Sequence, residues 1–136
     1  MVLITGGAFQ GKLDWARKLA AQAGCEPAFV CSGDAGAEEI QRADIWDQFP
    51  AWVKRRMEEG VDAQTEAELA EILAANPRVI IVTREMGCGL VPVDAFERAW
   101  RERVGRLGCF LAARAERVYL VTCGVPLCIR GEETPC

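Results

Sequence analysis

A glycine-rich segment near the start of the sequence has the residue types and spacing of a phosphate-binding loop. Residues 6–12 read GGAFQGK, after a short apolar run and before a helical pattern. In such a loop the glycines allow successive backbone N–H groups to surround phosphate oxygens, and the lysine reaches the outer phosphates. We therefore predict a nucleotide site with Lys12 as a catalytic residue. The predicted nucleotide-binding residues of this segment are Gly6, Gly7, Ala8, Phe9, Gln10, Gly11, Lys12 and Leu13.

The residue after Lys12 departs from a complete phosphate loop. A complete loop has Ser or Thr at this position, and its hydroxyl binds the Mg²⁺ that bridges the outer phosphates. The sequence has Leu13 instead, which offers no oxygen. We expect the amides and Lys12 to retain phosphate binding while Mg²⁺ is held more weakly. Because a metal contact at the transition state contributes several kcal/mol, this loss can turn an enzyme into a binding protein.

The composition excludes several other kinds of chemistry. The 136 residues include no histidine, which excludes Ser–His and Cys–His nucleophiles and histidine-ligated metals. The net charge of −4 argues against nucleic-acid partners and anionic membrane surfaces, because both attract basic proteins. No apolar run approaches the roughly 20 residues that span a bilayer. The remaining chemistry uses carboxylates, Lys, Arg, hydroxyls, thiols and backbone amides.

The seven cysteines offer an alternative chemistry. No two of them have the C-x-x-C spacing of a zinc site or a redox motif, and most lie among apolar residues, where Cys acts as a small hydrophobic residue. Met1 is followed directly by a strand-like run that leaves no room for a signal peptide. We therefore expect reduced, mostly buried thiols in a cytoplasmic protein, with a Cys-rich metal or redox site as the alternative.

Short β-branched runs alternate with helical patterns along the chain. This alternation predicts one α/β domain over residues 1–136, with a mostly parallel central sheet, flanking helices and a P-loop NTPase-like fold. Residues 35–46 indicate only a short helix and a strand fragment. The predicted strands are 2–5, 28–31, 79–83, 118–122 and 127–129, and the predicted helices are 11–23, 50–59, 63–75 and 93–114.

Parallel sheets bind ligands at the carboxyl ends of their strands. We therefore add Ser32, Gly33 and Asp34, which follow the second predicted strand, to the nucleotide-binding residues. From the residues alone, Asp34 is more typical of a turn beside Gly33 than of a nucleotide contact, and both alternatives stay open.

Five segments resemble the motifs of one family. Residues 6–13 read GGAFQGKL where the family has GGARSGKS, and residues 82–92 read VTREMGCGLVP where it has V-T/S-N-E-V-G-x-G-I-V-P. Residues 98–105 and 115–130 match two later motifs, and residues 47–60 match a fifth more loosely. The sequence thus resembles the cobinamide kinase / cobinamide-phosphate guanylyltransferase family of cobalamin biosynthesis.

The resemblance implies a specific reaction and specific residues. ATP or GTP, with Mg²⁺ as cofactor, would phosphorylate the aminopropanol hydroxyl of adenosylcobinamide. Asp47 corresponds to a metal-binding catalytic carboxylate, and Glu85 corresponds to a catalytic loop carboxylate. From the residues alone, Asp47 is as readily a solvated or helix-capping residue. The family also implies a homo-oligomer, and we expect residues 51–60 to expose an apolar stripe.

The sequence departs from the family where the nucleotide chemistry lies. Family members carry the guanylyl group covalently on a histidine, and this chain has none and is shorter in that region, so we expect no covalent guanylyl transfer. Phe9 and Gln10 replace Arg and Ser, and Arg84 replaces Asn. Two hypotheses stay open: a cobinamide kinase without the guanylyl step, and a nucleotide- or corrinoid-binding relative without turnover.

Overall fold

The computed structural model describes residues 1–86 and 94–132. The predicted α/β alternation is confirmed. The strands are β1 Val2–Thr5, β2 Val30–Cys31, β3 Ile45–Trp46, β4 Ile80–Val82, β5 Arg117–Thr122 and β6 Val125–Arg130. The helices are α1 Lys12–Gln22, α2 Ala37–Arg42, α3 Phe49–Glu58, α4 Thr65–Ala75 and α5 Ala95–Arg114, with a 3₁₀ turn at Asp62–Gln64.

The six strands form one sheet in the order β2-β3-β4-β1-β5-β6. The pairs along β2, β3, β4, β1 and β5 are all parallel, and only β6 runs antiparallel, beside β5. The predicted mostly parallel sheet is therefore confirmed. Because the parallel strands point the same way, the loops that follow β1, β3 and β4 meet at one edge of the sheet.

The predicted and observed boundaries differ most at the strands β2 and β6. β2 is two residues long, because residues 28 and 29 lie outside the ladder, where the Phe29 amide donates to the Asp44 carboxylate at 2.8 Å. β6 is longer than predicted, because Cys123 and Gly124 both take positive φ values and form the tight turn that suits a hairpin. Asp94 caps α5 by accepting from the Phe96 amide at 2.7 Å. The predicted start of this helix at residue 93 and most of the loop 84–92 lie outside the described residues.

Both faces of the sheet are covered by apolar side chains. Neighbouring residues of a strand point to opposite faces, so Leu3 joins one buried cluster and Ile4 the other. The cluster around Ile4 packs against α1 through Ala16 and Leu19, while the cluster around Leu3 packs against the other four helices. The sheet is therefore the middle layer, and its ligand edge stays open between the helices.

Helix α3 buries the stripe that we expected to be exposed. Trp52 and Val53 are 3% and 0% exposed, and the Trp52 ring lies 5.0 Å from that of Trp46 and 5.7 Å from that of Phe49. Apolar residues spaced three or four apart share one face of a helix, and here the core receives that face. The prediction of an exposed apolar stripe over residues 51–60 is therefore wrong.

The thiols also differ from the prediction. All five cysteines within the described ranges are free, but only Cys31 is buried, and burial raises the pKa of its thiol to about 11. Cys109 lies on the exposed side of α5 and Cys123 lies in the hairpin turn. Apolar neighbours in the sequence therefore do not imply burial, because adjacent helix residues point in different directions.

Gly33 sets the distance between the loop after β2 and the start of α3. A Cβ atom there would lie 2.7 Å from both the Ala51 side chain and the Gln48 carbonyl oxygen. We expect Gly33→Ala to lower the free energy of unfolding by about 1–3 kcal/mol, the usual cost of overpacking. Urea denaturation measures this. The control Gly36→Ala adds a methyl group with no atom within 4 Å and should change stability by less than about 1 kcal/mol. Equal effects of the two substitutions would contradict the steric argument.

Candidate functional site

The glycine-rich loop connects the centre of the sheet to the first turn of α1. A Cβ atom on Gly6, whose φ is +147°, would collide with the carbonyl oxygen of Val121 on β5. Gly11 has a φ of +88°, and a Cβ atom there would lie 3.2 Å from Gly124. Only glycine fits both positions, because other residues avoid positive φ. The loop therefore packs closely against the β5–β6 hairpin as well as preceding a helix.

Gln10 joins the loop to that hairpin. Its backbone carbonyl accepts from the Gly124 amide at 2.8 Å, and its side-chain Oε1 accepts from the Cys123 amide at 2.6 Å. The prediction treated Gln10 as a nucleotide contact, whereas here its side chain is directed to the hairpin. The sequence analysis missed this contact, because its partners are more than a hundred residues apart in the chain.

Phe9 stands at the tip of the loop. Its φ is +57° and its side chain is fully exposed. A non-glycine residue in this conformation costs about 1–3 kcal/mol, and an exposed aromatic ring contributes no core packing in return. The ring instead lines a cavity that opens beside the loop.

Lys12 lies where several charges meet. Its Nζ donates to the Gly7 carbonyl oxygen at 2.6 Å. Partial burial and the positive charge of Arg84 lower the pKa of Lys12, while the negative charges of Asp47 and Glu85 act to raise it. Asp47 and Glu85 therefore both lie within electrostatic reach of Lys12.

A cavity of about 410 Å³ lies beside the loop, a size typical of small-molecule sites. Its lining is formed by the ends of three neighbouring parallel strands and by the first turn of α3. The lining includes Ala8, Phe9, Lys12, Asp47, Gln48, Pro50, Thr83 and Arg84. This is the edge at which open α/β sheets bind ligands.

The two predicted carboxylates reach this edge in different ways. Asp47 directly follows β3, its amide donates to the Cys31 carbonyl at 2.9 Å, and it lines the cavity. The Glu85 amide donates to the Gly6 carbonyl at 3.0 Å, which anchors the segment after β4 to the start of the loop. Asp47 lines the cavity, whereas Glu85 is bonded to the loop through its backbone, and the roles of both residues stay predictions.

The three residues after β2 are not brought to the cavity. The Ser32 hydroxyl donates to the Asp34 carboxylate at 2.6 Å, and this bond lowers the pKa of Asp34. Gly33 packs against α3. β2 is an edge strand of the sheet, three places from β1, and none of these three residues lines the cavity. Their nucleotide contact stays a prediction that this arrangement does not favour.

Thr83, Arg84 and Trp100 are among the cavity residues that were not predicted. Thr83 is 5% exposed and its hydroxyl has no hydrogen-bond partner within the described part of the chain. Arg84, the next residue, also lines the cavity. Trp100 lines another side of it, and its Nε1 donates to the Pro50 carbonyl at 2.8 Å. Thr83 and Arg84 directly follow the strongest predicted strand, which was a signal that could have found them. Nothing in the local pattern of α5 distinguishes Trp100 from a core residue.

The possible metal ligands in the cavity fit a Mg²⁺ that binds together with a nucleotide. Mg²⁺ in such sites is held by one or two carboxylates together with phosphate oxygens and waters, and Asp47 provides a carboxylate in the cavity. Leu13 provides no oxygen. Across residues 1–86 and 94–132, no three or more Cys, Asp and Glu side chains cluster as ligands of a metal ion. A resident metal held by protein ligands alone is therefore not supported by these residues.

Comparison with known proteins identifies the scaffold. The sequence model of the family described as cobinamide kinase / cobinamide phosphate guanyltransferase matches residues 43–129, more than half of the chain. The chain belongs to this family. The resemblance predicted from the motifs is thus confirmed, and the family places the chain in cobalamin biosynthesis.

Two curated relatives show how far the similarity extends. The bifunctional adenosylcobalamin biosynthesis protein CobP of Pseudomonas aeruginosa is 27% identical over 169 aligned positions, which cover 96% of this chain and 97% of the relative. The protein CobU of Escherichia coli, with the same descriptive name, is 33% identical over 79 residues, 58% of this chain and 44% of the relative. The CobP alignment is longer than this chain, so that relative contains segments that this chain lacks.

The Gln10 contact leads to a direct test of loop anchoring. We expect Gln10→Ala to remove hydrogen-exchange protection from the Cys123 amide and to lower the free energy of unfolding by about 0.5–1.5 kcal/mol, the net value of one hydrogen bond. Gln41→Ala, which changes an exposed glutamine on α2, is the control. Unchanged exchange at Cys123 would show that the side-chain bond does not hold the hairpin.

Proposed function

We propose that this chain binds the triphosphate of ATP or GTP in the loop of residues 6–12 and transfers a phosphoryl group to the hydroxyl of adenosylcobinamide. The observation that carries this proposal is the meeting of Lys12, Asp47 and Arg84 on one cavity beside the loop. Family membership supports the choice of acceptor. The curated relatives are named as bifunctional enzymes, and only the kinase half of that function is proposed here.

The proposed mechanism relies on position and charge. Backbone amides of the loop and the start of α1 hold the phosphates, and Lys12 contacts the outer phosphates. Asp47 would hold Mg²⁺, which supplies charge neutralisation when it is bound. Glu85 stays a candidate catalytic carboxylate. Phosphoryl transfer needs mostly alignment and electrostatic stabilisation, so the absence of histidine does not forbid it.

Covalent guanylyl transfer is not part of the proposal. The chain has no histidine, so the carrier that the family resemblance implies has no counterpart in these residues. The second candidate function is a nucleotide- or corrinoid-binding protein without turnover. Leu13 favours this candidate, because it removes a hydroxyl ligand of the metal at the reacting phosphates.

Partners and location complete the proposal. None of the helices in the described ranges is long and apolar enough to cross a membrane. A cytoplasmic location, a homo-oligomeric state and the absence of nucleic-acid partners stay predictions. Now that the apolar face of α3 is known to lie in the core, the proposed self-association needs another surface.

Nucleotide binding should depend on Lys12. We expect Lys12→Ala to weaken GTP or ATP binding about ten- to hundredfold, the value of lost hydrogen bonds to a charged group. Isothermal titration calorimetry with and without Mg²⁺ measures this. The control Lys18→Ala removes the same charge from an exposed position of α1 and should have little effect. If the unaltered protein binds neither nucleotide, the kinase proposal is wrong.

Leu13 should decide how strongly turnover depends on Mg²⁺. We expect Leu13→Ser to raise Mg²⁺-dependent phosphorylation of adenosylcobinamide by about tenfold or more, because it restores a hydroxyl ligand for the metal. Leu13→Ala is the matched control, since it removes the same apolar contacts without adding oxygen. A gain in the Ser variant alone indicates a weakened kinase. No gain in either variant favours the binding protein without turnover.

A further inference from the structure

We propose that Arg84 binds the terminal phosphate of the nucleoside triphosphate and supplies there the positive charge that a loop-bound Mg²⁺ supplies in a complete phosphate loop. This inference rests on the proposed nucleotide binding and adds a residue that the family motif does not contain, since the motif has Asn at this position. It makes Arg84 a specificity residue for triphosphates over diphosphates.

The backbone on both sides of Arg84 is fixed relative to the phosphate loop. The Thr83 amide donates to the Ile4 carbonyl at 2.9 Å, and the Glu85 amide donates to the Gly6 carbonyl at 3.0 Å. Arg84 lies between these two bonds, so its Cα cannot move far from the end of β1 without breaking one of them. Its position beside the loop is therefore built into the sheet rather than left to a mobile segment.

Arg84 lines the same cavity as Lys12 and Asp47, and in the part of the chain that the structure describes its guanidinium has only a weak partner. Its closest partner is the sulfur of Met86, at 3.3 Å from Nε and 3.2 Å from Nη2, and a thioether is a weak acceptor. Among the described residues no carboxylate lies within ion-pair distance of Arg84. The planar group therefore keeps donors for an anion, and bidentate binding of phosphate is its characteristic use.

Two cations on one cavity repel each other unless an anion lies between them. Partial burial and the positive charge of Arg84 lower the pKa of Lys12, and both residues line one cavity. Asp47 supplies one negative charge on the same lining. A triphosphate carries several more, so its binding relieves the repulsion and stabilises both cations.

The loop itself lacks two groups that would neutralise the terminal phosphate. Leu13 brings no metal-binding hydroxyl, and Phe9 brings no charge at the loop tip. Arg84 approaches from the segment that follows β4, beside the loop, rather than from the loop itself. The positive charge near the terminal phosphate is therefore supplied by Arg84 beside the loop, and it does not require a metal bound by the loop.

Calorimetric titration of GTP, GDP, ATP and ADP tests this inference, each with Mg²⁺ and with EDTA. The proteins are the unaltered chain, Arg84→Gln, and Arg42→Gln, which removes the same charge from an exposed position on α2. We expect Arg84→Gln to weaken triphosphate binding about tenfold or more, with diphosphate binding nearly unchanged. Triphosphate affinity should also become more dependent on Mg²⁺ in this variant. Arg42→Gln should match the unaltered chain.

The remaining outcomes overturn the inference. An equal loss for diphosphates and triphosphates would mean that Arg84 acts on the whole site and not on the terminal phosphate. Unchanged binding in Arg84→Gln, alongside binding that Lys12→Ala abolishes, would overturn the role of Arg84 and leave the proposed function intact. If the unaltered chain binds no nucleotide, both the proposed function and this inference are wrong. Because Arg84 is exposed, its substitution should leave the fold unchanged, and thermal unfolding checks this.

Discussion

The close approach of the phosphate loop to its two neighbouring strands determines the rest of the site. On one side Gly6 accepts from the Glu85 amide after β4, and on the other side Gln10 accepts from the turn between β5 and β6. Both contacts exist because β1 lies between β4 and β5 in the sheet. A central strand whose loop is bonded on both sides holds its amides and lysine in place before any ligand arrives, which reduces the ordering cost of binding.

This arrangement also concentrates charge. Lys12 follows β1 through the phosphate loop, Arg84 follows the adjacent strand β4, and Asp47 follows β3, the next strand along the sheet. Strand ends in one sheet are about 5 Å apart, so side chains from neighbouring ends meet without any long loop. Electrostatic stabilisation of a phosphoryl group requires this kind of preorganised charge. The site therefore keeps much of what phosphoryl transfer needs even though the loop has lost its metal-binding hydroxyl.

Local sequence patterns predicted the helices and strands, but they did not predict contacts between residues that are distant in the chain. The run Val2–Thr5 with its glycines, and the apolar spacing of α1, depend on neighbours within a few residues, so pattern alone identified them. The strand order does not follow from such patterns. The turn of Ser32 and Asp34 was therefore expected at the site, although β2 lies at the far side of the sheet. The bond between Gln10 and Cys123 escaped prediction for the same reason.

The two departures from the family have unequal chemical consequences. The family resemblance implies a histidine as the covalent carrier, and this chain has no histidine to take that role. A metal-binding hydroxyl is one of several oxygen ligands around Mg²⁺, which readily keeps water in its coordination shell. We therefore expect Leu13 to weaken the proposed phosphoryl transfer without abolishing it, since Asp47, Lys12 and Arg84 remain at the cavity. On this physical ground we expect a larger loss of guanylyl transfer than of phosphoryl transfer, and the kinase stays ahead of the binding protein as the function to test.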